Sequence, residues 1–130
     1  MRTCLCALAL ALLVLALSSC ARPTASPRAD ELTPAAEQFV DLLVAGDFAT
    51  AVADFDDTMT TVMPPAKLQE AWQSIVTQYG PFKGQVGAQT VVDKGFDIAV
   101  VTCQFEEATI DIRVVYNDDA KIGGLWFAPR

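Results

Sequence analysis

At Gly80-Pro81 the hydrophobic period of this chain switches from that of a helix to that of a strand, and this switch restricts the fold more than any other feature. Upstream, Leu68, Ala71, Trp72, Ile75, Val76 and Tyr79 recur at three- and four-residue spacing, which puts them on one helix face. Gly80 tolerates the backbone that ends a helix, and Pro81 cannot continue one. Downstream, the alternation predicts four strands, over 82–92, 96–106, 109–116 and 121–127. Asp93-Lys94-Gly95 and Asn117-Asp118-Asp119 have the composition of hairpin turns, and Glu106-Glu107-Ala108 makes a tight link. Links this short join neighbouring strands into an antiparallel meander.

Two shorter helical patterns precede the 68–79 stripe. Thr33 is suited to cap a helix with Pro34 at its first position; Phe39, Val40 and Leu43 then share a face, and Gly46 stops it. Asp47 is placed to cap a second helix carrying Phe48, Ala51, Val52 and Phe55. Three helices followed by a four-stranded meander is an α+β class, with the helices packed on one sheet face.

The strands differ in how much cover they demand. In the third, Ile110, Ile112, Val114 and Tyr116 alternate with Thr109, Asp111 and Arg113, so one face is core and the other is wet. In the second, Phe96, Ile98 and Val100 form one apolar row, and Ala99, Val101, Cys103 and Phe105 another. Helices cover only one of these rows. A second copy of the chain could cover the other sheet face, with Val101, Cys103, Asp111 and Arg113 as interface candidates; a loop edge or the C-terminal Pro129-Arg130 could also do so.

The first twenty positions follow a different logic. Arg2 is followed by an apolar run from Leu5 to Leu17, too short to cross a bilayer, which takes about 20 residues. A basic start, a short apolar stretch and small residues before a boundary make an export signal. Leu17-Ser18-Ser19-Cys20 resembles the cleavage motif of bacterial lipoproteins. The resemblance implies a signal peptide over 1–19 and lipid attached to Cys20; composition and periodicity then predict a tether over 20–32 and a single domain over 33–130. The tether, rich in Pro, Ser, Ala and Arg, has no large apolar residue before Leu32. The expected location is the cell membrane or outer membrane, through the lipid.

On that reading Cys4 and Cys6 leave with the signal and Cys20 is acylated, so Cys103 stands alone without an internal disulfide. Removing Arg2 from the 9 basic residues leaves 8 against 16 acidic ones. So acidic a domain repels phosphate backbones, which argues against a nucleic-acid partner. The chain has no His, which withholds the commonest general base and metal ligand.

The remaining chemical candidates each have a plainer reading beside them. Asp54, Asp56 and Asp57 are dense enough for a hard cation but lack the Gly-punctuated spacing of a Ca²⁺ loop, so the expectation is a solvated helix face and no metal. Trp72, Tyr79 and Trp126 offer flat walls for a small apolar ligand, although Trp72 and Tyr79 also fit a core stripe. Cys103 has no neighbouring base to make a thiolate, and reads as an inert buried thiol. Gly123-Gly124, inside the last strand, marks a bulge.

Leu43-Val44-Ala45-Gly46-Asp47-Phe48, then Ala51, Phe55-Asp56, Met59, Pro65, Leu68, Trp72 and Tyr79-Gly80-Pro81-Phe82, resembles a bacterial domain-of-unknown-function family of the nuclear transport factor 2-like superfamily. The resemblance implies a cone, in which a curved sheet wraps the helices and leaves a cavity at the open end. It transfers no catalytic residue and no cofactor. The functional expectation is an envelope-anchored, non-catalytic binding or interaction module for an envelope protein or small apolar ligand. The alternatives are a small enzyme using Asp111 or Asp97 as general base, and a purely structural dimerisation domain.

Overall fold

The computed structural model describes residues 24–130; the signal, Cys20 and the first residues of the expected tether lie outside the described residues. The elements run β1 (Thr24–Ala25), α1 (Ala29–Ala45), α2 (Phe48–Ala51), a 3-10 turn (Val52–Asp54), α3 (Asp57–Val62), α4 (Pro65–Tyr79), β2 (Phe82–Asp93), β3 (Phe96–Phe105), β4 (Thr109–Tyr116) and β5 (Ile122–Pro129). The five strands form one antiparallel sheet in sequence order. The α+β class and the meander match the sequence expectation, with four helices in place of three and five strands in place of four.

The long elements form where the periodicity places them. In α4, Leu68 and Trp72 are buried while Ile75, Val76 and Tyr79 pack half-buried against the core. Pro65 opens this helix, where its missing N–H costs nothing. Gly80 ends it at φ 83° and lies so close to the β3–β4 link that an added Cβ would stand 2.9 Å from the Cβ of Glu106. Lys94 and Gly95 both take positive φ between β2 and β3, as a tight right-twisting hairpin requires.

Three local expectations are corrected. The first helix begins at Ala29, not at a Thr33 cap, and Pro34 lies inside it. Thr33 instead shares a 2.7 Å hydroxyl–hydroxyl hydrogen bond with Thr90 of β2. Pro34 leaves the carbonyl of Asp30 without its helical donor, but Asp30 is exposed and water can serve. Asp47 does cap α2, accepting from the Thr50 amide at 3.2 Å, but that helix is one turn long. Asp56 caps the additional helix α3 by accepting from the Met59 amide at 2.8 Å.

The third correction concerns the tether, which is folded from residue 24 onward. Thr24 and Ala25 pair with Val92 and Val91 on the free edge of β2. The buried Ser26 hydroxyl donates to Asp97 Oδ1 at 2.5 Å and accepts from the Arg28 amide. The Arg28 guanidinium donates to Asp97 Oδ2 and to the Asn117 carbonyl, each at 3.2 Å. These contacts fasten the start of the domain to its hairpin end.

The core lies between the helices and the inner sheet face. Its centre is Trp72, whose ring lies 6.1, 5.6 and 6.5 Å from those of Phe82, Phe105 and Phe127, all tilted. Phe39 and Phe55 form a second aromatic contact at 6.0 Å. Among the described residues no buried side-chain nitrogen or oxygen lacks a hydrogen-bond partner.

Candidate functional site

Alternation along β3, β4 and β5 decides which side chains leave the core. Ala99, Val101, Cys103 and Phe105 point to the helices, together with Ile110, Ile112 and Val114 of β4. Val101 and Cys103 are both 0% exposed, so they are core and form no interface, contrary to the sequence expectation. The apolar row that faces away from the helices is Phe96, Ile98 and Val100. Cross-strand register extends that row, with Ile98 opposite Val115, Val100 opposite Arg113, and Arg113 opposite Trp126.

All of these but Val100 line a trough of about 670 Å3 on the outer face. Phe96, Ile98, Val115 and Trp126 supply its apolar lining, and Asp93, Lys94 and Arg113 its charges. Trp126 is 59% exposed and Phe96 58%. Ile98 is only 8% exposed although it faces outward, because its neighbours on this face cover it.

Backbone geometry shapes the trough. The β4–β5 register shifts at Tyr116, so that Gly123 is the extra residue of a bulge, as Gly123-Gly124 foretold. The next residue, Gly124, is where the Trp126 indole comes down onto the strand. A Cβ added there would meet ring atoms at 2.6 and 2.8 Å and Val115 Cβ at 3.4 Å. Only a glycine lets the ring lie this close.

Electrostatics separate the two outward charges of β4. Asp111 accepts from Thr102 Oγ1 at 2.7 Å and from Arg130 Nε at 2.8 Å, not from Arg113. Among the described residues the Arg113 side chain has no hydrogen-bond or ion-pair partner. The expected Asp111–Arg113 pair is therefore replaced by a tethered carboxylate and a free cation beside the trough.

The three aromatic residues expected to line one pocket are not brought together. Trp72 is 6% exposed inside the core, Tyr79 packs half-buried at the end of α4, and Trp126 stands on the opposite side of the sheet. Asp54 and Asp57 are exposed and Asp56 is a helix cap; among the described residues no three Asp, Glu, Cys or His side chains are grouped to hold a metal. Asp97 is occupied by Ser26 and Arg28.

Inside the core the titratable groups are held neutral. Burial, reinforced by the negative fields of Asp111 and Asp41, pushes the Cys103 thiol up from 9.0 to about 12. Burial and the field of Asp54 also raise Tyr116. A thiol held so strongly protonated is a poor nucleophile.

A second groove lies between α1 and β2, lined in part by Asp30, Thr33, Pro34 and Thr90. Its two threonine hydroxyls already bond each other, and its lining holds no aromatic side chain and no cation. The outer trough is the better candidate because exposed aromatic area and a free cation coincide there.

No curated protein and no solved structure matches the chain. A family model does match, over residues 36–125, from α1 into β5, which takes in the core, the meander and most of the trough. With more than half of its length covered, the chain belongs to the family described as "Protein of unknown function (DUF3887)".

Proposed function

We propose that the chain is an envelope-anchored, non-catalytic binding module whose working surface is the outer-face trough. The observation that carries this reading is the coincidence of Phe96 and Trp126, both more than half exposed, with the unpartnered Arg113. Such a surface suits an apolar group bearing a negative charge. The anchoring half of the reading rests on Leu17-Ser18-Ser19-Cys20. The cone geometry of the nuclear transport factor 2-like superfamily accords with helices on one face of a meander, but the packed Trp72 cluster directs attention to the outer face rather than a cone interior.

Two measurements test the reading. Cys20→Ala should turn a detergent-partitioning protein into an unprocessed or freely soluble one; equal partitioning of parent and variant would remove the anchor. Anilinonaphthalene sulfonate, an anionic apolar probe, should bind saturably, and Trp126→Ala or Arg113→Glu should weaken it about tenfold, near 1.4 kcal/mol. Unchanged binding in both variants would remove the trough as a site.

The outward apolar row of Phe96, Ile98 and Val100 also supports a second reading, a dimerisation domain closed back to back through this face. Val100→Asp should then convert a dimer to monomer in sedimentation across micromolar concentrations. The enzymatic alternative is weaker, because Asp97 and Asp111 are each engaged by two donors.

A further inference from the structure

We infer that the Phe96–Trp126 face rests on the phospholipid surface to which Cys20 is anchored, so that the domain lies against its membrane instead of standing off on a tether. The inference rests on the lipid-anchor reading of Cys20 and goes beyond it. It follows from where the chain enters the fold. Thr24 pairs with Val92 and Ala25 with Val91, so β1 starts at the same end of the sheet as the β2–β3 hairpin. Only Ala21, Arg22 and Pro23 separate Thr24 from Cys20. Four Cα steps, even fully extended, reach about 14 Å. The polar headgroup layer of one leaflet is itself about 5–8 Å thick. A lipid on Cys20 therefore holds the hairpin end of the sheet within about two to three headgroup depths of the acyl chains.

That end cannot move away, because Ser26 and Arg28 fasten the entering chain to Asp97 at the start of β3. Phe96, the residue before Asp97, closes the hairpin on its partner Asp93 and is exposed on the outer face. Trp126 continues the apolar surface across β4 to β5. An aromatic side chain of this kind is at home between headgroup and hydrocarbon.

Charge favours the same occupant. The chain carries 16 acidic residues against 9 basic ones, yet the trough has Lys94 and Arg113 against a single carboxylate, Asp93. Two cations beside exposed aromatic rings on an otherwise acidic protein match phosphate headgroups above acyl chains. A second copy docked back to back would instead set this cationic face against the same cationic face.

The two tryptophans make the test direct. Trp72 is sealed in the core, and Trp126 is the one a bilayer can reach. The processed full chain is reconstituted in vesicles of phosphatidylethanolamine and phosphatidylglycerol carrying bromine on the upper acyl carbons, and its emission compared with unbrominated vesicles. Quenching of up to about half of the emission is expected, one tryptophan of two, and Trp126→Phe should abolish it while the Trp72 emission persists. Phe96→Ser combined with Arg113→Glu should reduce the quenching several-fold while leaving flotation intact. A protein that floats with the vesicles but is not quenched overturns the docking and leaves the anchor standing. A protein that does not float overturns the anchor, and the docking with it. Unquenched emission with a doubled mass in detergent would assign the face to a second copy and also overturn the proposal.

Discussion

Both faces of the sheet carry large apolar side chains, and they leave them in opposite conditions. On the inner face Val101, Cys103, Ile112 and Val114 are each 0% exposed beneath the helices. On the outer face of the same sheet, Phe96 and Trp126 stay more than half exposed around a trough. The inner face meets neighbours supplied by its own chain, including the aromatic contacts around Trp72, and its titratable groups are kept neutral. The outer face carries an apolar patch around the trough, polar side chains elsewhere, and an unpartnered Arg113. Selection for folding alone explains the first arrangement. The second exposes apolar area that folding would sooner cover, so it carries the information about function.

Substitution at the two tryptophans gives the largest expected contrast. Trp72→Ala removes the ring that packs against Phe82, Phe105 and Phe127, and should cost about 3–5 kcal/mol in denaturant titration. Trp126→Ala removes a mostly exposed ring and should cost under about 1 kcal/mol. Similar losses at both positions would break the division into a structural face and a presented one.

Alkaline pH probes the inner face without a substitution. In the unfolded chain the Cys103 thiol ionises near its ordinary 9.0, whereas in the folded state it holds its proton to about 12. The stability contribution is complete below 9 and is lost as pH rises toward 12, because only the unfolded state gains by ionising. Between about pH 8 and pH 11 this amounts to about 2–3 kcal/mol. Tyr116, raised by the same burial, acts with the same sign at higher pH. Cys103→Ala should flatten the alkaline loss, measured as the slope of unfolding free energy against pH. An unchanged slope would mean the thiol is not buried as described.

The fastening of the entering chain comes next in size. Asp97→Ala leaves the buried Ser26 hydroxyl and the Arg28 guanidinium without their carboxylate and should cost about 1–3 kcal/mol. It should also release residues 24–28, read as loss of amide-exchange protection at Ser26, whose amide donates to Thr90. Retained protection would show that β1 holds by backbone pairing alone.

What the sequence revealed, and what it hid, follows the range of the interactions concerned. The α4 stripe, the hairpin at Lys94-Gly95 and the bulge at Gly123 are encoded by neighbours in the chain, and local periodicity finds them. Thr24–Ala25 carries no apolar signal, and its fastening joins Ser26 and Arg28 to Asp97 some seventy residues away, beyond any local window. Helix α3 buries only Met59 and so shows no stripe, although Asp56 at its cap was a usable sign. The orientation of β3 was legible and misassigned. Pairing it with β4 across a short link sets Val101 against Ile112 and Cys103 against Ile110, on the apolar face of β4. Both therefore belonged inside, and Phe96 and Ile98 outside. Trp126 follows by the same register, since it stands opposite the outward Arg113.

The smallest expected effect concerns the shape of the outer face. Gly124→Ala places a Cβ where the Trp126 indole now lies, at 2.6 and 2.8 Å from two ring atoms. Contacts that short require one group to move. Val115 behind the glycine is held in the sheet at 3.4 Å, whereas the exposed indole is free to swing outward. The strand itself gains slightly from replacing glycine, so stability should change by no more than about 0.5 kcal/mol. The trough should nevertheless open, because its roof has lifted. The expected readout is greater acrylamide quenching of tryptophan emission, all of it from Trp126, together with weaker binding of anilinonaphthalene sulfonate. A variant with unaltered quenching would mean that the indole does not lie on Gly124. A variant destabilised by more than about 2 kcal/mol would mean that Trp126 is packed as firmly as Trp72, and that the two faces differ less than their exposures indicate.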